Sequence, residues 1–152
     1  MNKKSLIISI IIPLFVGSVS SFLSHHQMNL YKKLNLPPLA PPGALFPVVW
    51  TILFILMGIS SYFIYVSSHP RRENAIILYA FQLFINFCWP LFFFNLHNYF
   101  LALMILLVLL ILVVTMMFRF YQIKPISCYL NIPYLIWICF ALYLNFFVFI
   151  NN

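Results

Sequence analysis

The sequence predicts an all-α membrane protein, a five-transmembrane-helix bundle that forms a single domain over residues 1–152. Three observations predict it. The chain is 65% hydrophobic and only 6% charged, where a soluble domain carries roughly a quarter charged residues. Five apolar runs, at residues 5–23, 44–66, 75–94, 99–118 and 126–150, each have about the 20 residues that a helix needs to cross the hydrocarbon. All eight Lys and Arg fall in the gaps between those runs. Barrel strands are about half as long and alternate in polarity; these runs do neither.

The first run follows Lys3 and Lys4. It is longer than the apolar core of an export signal and has no clean small-residue cleavage site before His25, so it reads as a retained span. Its pairs Gly17-x-x-x-Ser21 and Ser20-x-x-x-Ser24 allow close helix approach. The loop over residues 25–43 is long in a chain otherwise stripped of loops, and it holds Pro37, Pro38, Pro41 and Pro42. Proline-dense backbone is stiff and extended, so this loop is expected to act as a lid over the bundle mouth. The second run opens with Pro47, Trp50 and Thr51, and Phe54 lies one turn below Trp50. In the third run Gln82, Asn86 and Trp89 follow at i, i+4 and i+7 and share one face. Amides against lipid are costly, so that face must look inward. A four-residue turn at 95–98 makes the third and fourth helices antiparallel neighbours. The fourth run has no hydroxyl after Tyr99 except Thr115, and reads as a wall helix facing lipid. In the fifth, Pro133, Trp137, Ala141 and Asn145 recur every four residues with Tyr134 beside them. Pro13, Pro90 and Pro133 are each expected to bend a span.

With five spans, Lys3, Lys4, Arg71, Arg72, Arg119 and Lys124 lie on one side and only Lys32 and Lys33 on the other. Basic residues in short loops mark the cytoplasmic face, which places the N-terminus inside and the C-terminus outside. Lys, Asn and Ile usage suits a bacterial plasma membrane. The net charge of +7 is then a topology signal and a match to anionic membrane lipid. Split between two faces, it forms no nucleic-acid patch. Cys88, Cys128 and Cys139 are odd in number, lack metal-ligand spacing and read as small apolar fillers. His25 and His26 are adjacent, diverge by about 100° on a helix, and do not make a metal site. Ion-coupled transport needs ionisable groups inside a span, and none lies there. The chain has no Asp, and its one acid, Glu73, is in a loop, so no hydrolytic set can be assembled. No catalytic residue is assigned; only light-driven chemistry on a bound chromophore remains open. The amides and tryptophans carry two readings. They are either structural hydrogen-bonding groups and interfacial anchors, or the lining of an apolar pocket for a flat ligand.

Three segments add a resemblance: LYKKLNLPPLAPPGALFPVVWTILFILMG at 30–58, FQLFINFCWPLFF at 81–93 and NIPYLIWICFALYLN at 131–145. With the five-span layout, the chain resembles the translocator protein family, also called tryptophan-rich sensory proteins or peripheral benzodiazepine receptors. The resemblance implies a pocket between the helices for porphyrin or haem, sterol-like lipids and synthetic isoquinoline or benzodiazepine ligands. It implies a capping first loop, homodimers, and a role as sensor, scavenger or carrier; light-dependent porphyrin degradation and small lipid or metabolite transport are the alternatives. Trp50, Phe54, Asn86, Trp89, Trp137, Ala141 and Leu144 match pocket positions, and Tyr31, Pro41 and Phe46 match positions on or just after the loop. The chain departs from the family at Leu30, Leu36 and Phe149, where Trp, Lys and Trp are usual. No Lys or Arg follows Lys124, so the C-terminal sterol-recognition pattern of animal members is absent.

Overall fold

The computed structural model describes residues 1–152, the side chain of Met28 excepted. Five helical stretches are long and apolar enough to cross a membrane: Lys3–Gln27, Leu45–Tyr65, Arg72–Asn95, Tyr99–Ile123 and Pro125–Asn151. The chain is a multi-pass membrane protein, an all-α five-span bundle, as the apolar runs predict. Its elements are α1 (Lys3–Ser24), a 3-10 turn (His25–Gln27), α2 (Met28–Lys33), α3 (Leu45–Tyr65), α4 (Arg72–Pro90), a π-helical turn (Leu91–Asn95), α5 (Tyr99–Ile123), α6 (Pro125–Tyr129) and α7 (Ile132–Asn151).

The exterior carries the apolar residues that a soluble protein would bury. Ile7, Ile8, Ile11, Ile12 and Phe15 lie exposed along α1, and Ile111, Val114 and Phe118 along α5. Lipid is as apolar as these side chains, so burying them gains little, and close packing with interhelical hydrogen bonds holds the bundle instead. α1 packs chiefly on α3, α4 on α5, and α5 on α7. Gly58 makes the first contact possible. A Cβ there would stand 2.6 Å from the Ile10 Cα and 2.7 Å from the Ser9 carbonyl oxygen.

One group of polar residues is matched between α3 and α6. The Ser60 hydroxyl donates to the Ser127 carbonyl at 2.8 Å, and the Ser127 hydroxyl to the Ser60 carbonyl at 3.0 Å. Asn131 Nδ2 adds bonds to Ser60 Oγ and the Ser127 carbonyl at 2.7 and 2.9 Å. Helix ends are closed in the same way. The Asn2 and Asn98 side chains accept from the Ser5 and Leu101 amides, and the Arg72 guanidinium bonds the Tyr65 and Ser67 carbonyls at the end of α3.

Three expectations change. Pro133 stands in the first turn of α7, where its missing N–H is no loss. It starts that helix rather than bending one, and the fifth span is interrupted at Leu130–Asn131, between α6 and α7. The loop over 25–43 begins as a helical turn and α2 before it becomes extended at Leu34. α5 is more than a wall: Ala102, Leu106, Leu109, Val113, Met116 and Phe120 face the core between α4 and α7. Cys88 and Cys128 are half-buried and Cys139 is exposed, all three as free thiols.

Candidate functional site

A cavity of about 490 Å³ opens between α1, α3 and the C-terminal end of α4, inside the roughly 300–1,000 Å³ range of small-molecule sites. Local sequence explains the gap. Between Leu14 and Phe22, which also line it, the α1 residues facing it are small, Gly17, Ser18, Ser20 and Ser21, with Ser24 one turn beyond Ser20, and they leave the space nearer the C-terminal end of α1 unfilled. A Cβ on Gly17 would strike the Phe54 ring. From α3 the wall is Phe46, Trp50, Thr51 and Phe54, and from α4 it is Asn86, Trp89 and Pro90. Pro90 ends the regular α4. The wider π turn after it carries Phe93 and Phe94 inward, both buried, with their rings in edge contact at 4.9 Å.

Five of the ten sequence-predicted residues line this cavity: Phe46, Trp50, Phe54, Asn86 and Trp89. Trp50 stacks on Phe54 at 5.4 Å and 25°. Trp89 is fixed from behind, because its indole N–H donates to Asn145 Oδ1 at 2.9 Å. Asn145 Nδ2 is in turn bonded to the Tyr99 carbonyl at 2.9 Å. Asn86 Nδ2 donates to the Tyr134 hydroxyl at 2.7 Å, which donates to Gln82 Oε1 at 2.8 Å. Both amide hydrogen-bonding and pocket lining therefore fall to Asn86. One of its two N–H donors is directed at Tyr134, which leaves its carbonyl oxygen and its second N–H for a ligand.

The other five stand apart from the cavity. Trp137 lies behind Trp50, the two indoles perpendicular at 6.4 Å, and it makes an edge contact with Phe46 at 5.7 Å. That spacing leaves no room for a flat ring between Trp50 and Trp137. The Trp137 Nε1 is buried and meets no protein acceptor. Tyr31 packs edge-on against Phe46 at 5.3 Å and donates its hydroxyl to the Pro41 carbonyl at 2.8 Å. Tyr31 and Pro41 thus close the proline-rich segment on itself. Burial pushes the Tyr31 phenol above its ordinary value, so it keeps that hydrogen through neutral pH. The loop is also pinned to the C-terminus, since Asn35 and Asn152 exchange two hydrogen bonds of 2.9 and 3.1 Å. None of the described loop residues from 29 to 43 lines the cavity; the loop covers the aromatic cluster of Phe46 and Trp137 beside it. Ala141 and Leu144 are buried on α7, 5% and 2% exposed, in the core behind the site.

Sequence reasoning missed the contribution of α1. Its small-residue pairs signal close helix approach, but Ser20 and Ser24 are buried at the cavity wall. Ser20 Oγ also donates to the Phe87 carbonyl at 3.1 Å, across to α4. His25 stands at the rim, its Nδ1 2.6 Å from the Phe22 carbonyl and its ring stacked on Phe22 at 5.4 Å. No grouping of three or more metal-binding side chains occurs among the described residues.

The TspO/MBR family model matches residues 9–150. The Tryptophan-rich protein TspO of Chlorobaculum tepidum is 34% identical over 153 residues, covering 96% of each chain. Its namesake in Archaeoglobus fulgidus is 32% identical over 154 residues, covering 100% of this chain and 99% of the relative. The human Translocator protein is 32% identical over 141 residues, covering 91% and 82%.

Proposed function

This chain belongs to the TspO/MBR family, and on that premise we propose that it binds flat hydrophobic molecules, porphyrin or haem foremost, in the cavity between α1, α3 and α4. It would act there as a sensor, scavenger or carrier. The observation that carries this reading is the juxtaposition of Trp50, Phe54 and Trp89 around one cavity, with the Asn86 amide among them. Aromatic walls favour a planar ligand through dispersion and ring-quadrupole contacts, and burial of apolar surface supplies most of the affinity.

The polar groups fit the edge of such a ligand better than its face. The Asn86 amide suits a carboxyl or carbonyl group at that edge. Ser18, Ser21 and Thr51 are exposed at the rim. Lys32 and Lys33 are exposed on α2, at the end of the bundle where the cavity lies, and can meet carboxylates; exposed pairs of that kind contribute about 1 kcal/mol at most. We place the end bearing Arg71, Arg72 and Arg119 in the cytoplasm, so that the cavity opens in the outer half of the membrane.

Titration of the purified protein with protoporphyrin, haem and a steroid, followed by tryptophan fluorescence, tests the reading. Saturable quenching by the tetrapyrroles, with the steroid weaker, supports it. Linear, non-saturating curves for both tetrapyrroles would overturn it.

A further inference from the structure

A second groove, also of about 490 Å³, lies on the opposite end of the bundle between α4 and α5. Its mouth is formed by Arg71, Asn74 and Arg119, its floor by Ala75, Leu78 and Leu112, and the exposed Ile77 and Phe81 stand along its side. The cations at this end are not equivalent. Arg72 is spent on the carbonyls that close α3, and the Lys124 ammonium lies 5.9 Å from the centroid of the Phe63 ring. Lys3 and Lys4 belong to α1 and do not reach the groove. Arg71 and Arg119 are exposed, and neither guanidinium meets a carboxylate or carbonyl among the described residues. The only acid, Glu73, is exposed on the first turn of α4 and does not line the groove. Two guanidinium groups without a partner among the described residues therefore line one opening, together with Asn74.

Below this mouth the chemistry changes. Thr115 is four residues from Arg119, about 6 Å deeper along the helix, and directs its hydroxyl to its own Ile111 carbonyl at 2.7 Å. Phe81 is seven residues past Asn74, about 10 Å deeper. Beyond Thr115 the groove is lined by apolar side chains and lies within the span. A free phosphate would use the guanidinium groups and leave this length empty. A molecule with an anionic head and a long apolar tail would use both.

We propose that the α4–α5 groove binds one anionic phospholipid, its phosphate between Arg71 and Arg119 and one acyl chain along Ile77, Phe81 and Leu112. The site is separate from the aromatic cavity and does not rest on any function assigned to it. Guanidinium groups suit phosphate oxygens through paired N–H donors, and basic pockets between helices near the cytoplasmic surface recognise anionic lipid heads.

Native mass spectrometry of the full chain, equilibrated in detergent with equimolar phosphatidylglycerol and phosphatidylcholine, tests the proposal. The expected result is one retained phosphatidylglycerol per chain, favoured at least tenfold over phosphatidylcholine. Arg71→Gln with Arg119→Gln should reduce that preference to near parity. Leu112→Trp keeps both charges, fills the groove, and should cause a similar loss. Lys32→Gln with Lys33→Gln, which removes two charges at the other end, should change nothing. Glycerol phosphate at millimolar concentration should fail to displace the lipid. Equal retention of the two lipids by the wild type would overturn the proposal. So would an unaffected Leu112→Trp variant, which would reduce the effect to surface charge, or displacement by glycerol phosphate. If the arginine variant fails to fold, as judged by thermal unfolding, the Leu112→Trp result decides alone.

Discussion

Asn86 and Tyr134 are joined across the bundle by a 2.7 Å hydrogen bond, and Tyr134 passes its own hydrogen to Gln82 on the same helix as Asn86. One hydroxyl thus ties two turns of α4 to α7. Gln82 and Tyr134 are fully buried, at 0% and 1% exposed. Tyr134→Phe keeps the ring and removes only the bridge. It should free an Asn86 donor at the cavity wall, leave the buried Gln82 acceptor without a partner, and destabilise the bundle by about 1–2 kcal/mol. Thermal unfolding in detergent measures this. Ligand affinity should change less than stability, because Tyr134 does not line the cavity.

The two glycines on the α1–α3 side should respond differently to the same added methyl. At Gly58 the Cβ meets backbone, the Ile10 Cα and the Ser9 carbonyl, and backbone cannot rotate away. Gly58→Ala should push α1 off α3 and destabilise by about 1–3 kcal/mol. At Gly17 the three atoms nearest the Cβ all belong to the Phe54 ring, a side chain on the cavity wall that must shift to admit it. Gly17→Ala should therefore weaken ligand binding with little loss of thermal stability. Parallel unfolding and titration of the two variants would separate these effects; equal effects on both measurements would contradict the assignment.

The spans were legible because membrane crossing is a matter of length and composition, both written locally in the sequence. Helix ends shifted by only a few residues, chiefly where polar residues such as Lys3 and Tyr121 continue a helix beyond its apolar run. The inward turn of Gln82 and Asn145 was legible for a related reason: each is 0% exposed, because lipid offers an amide no partner. The shape of the cavity was much less legible. It is set by what Gly17, Ser20 and Ser24 leave unfilled, and an unfilled volume depends on where α3 and α4 stand. Spacing on α7 likewise puts Trp137, Ala141 and Asn145 on one stripe, but cannot tell that Phe46 and Trp50 stand between Trp137 and the open space.

The proline-rich loop should show a pH dependence of one sign. The Tyr31 phenol, an ordinary titration near 10, is pushed upward by burial, and its protonated form holds the Pro41 carbonyl. A group whose folded pKa is raised contributes stability below its unfolded value and loses it as pH rises through the folded value. The Tyr31–Pro41 closure should thus persist unchanged from neutral pH to about 10 and open only above that. Hydrogen exchange of residues 31–41, compared between wild type and Tyr31→Phe, measures it. The variant should exchange faster at neutral pH, and the difference should vanish in strong alkali. A difference that is already half lost at about pH 10 would show that burial does not raise the phenol.

Trp50 and Trp137 touch each other, but only Trp50 forms cavity wall. A porphyrin seated in the cavity would meet Trp50 directly, and Trp137 only through it. Trp50→Ala should weaken protoporphyrin binding about tenfold, since it removes an aromatic contact together with its buried area. Trp137→Ala should have a smaller effect on affinity. The contrast inverts if a ligand draws on the Trp137 indole N–H, which is buried without an acceptor and would gain one from a carboxylate or carbonyl placed beside Phe46. Trp137→Phe keeps most of the ring and removes that donor. Equal affinity in Trp137→Phe and wild type would locate the ligand on the Trp50 side alone, whereas a loss in Trp137→Phe matching that in Trp50→Ala would move the site to the face beneath the loop.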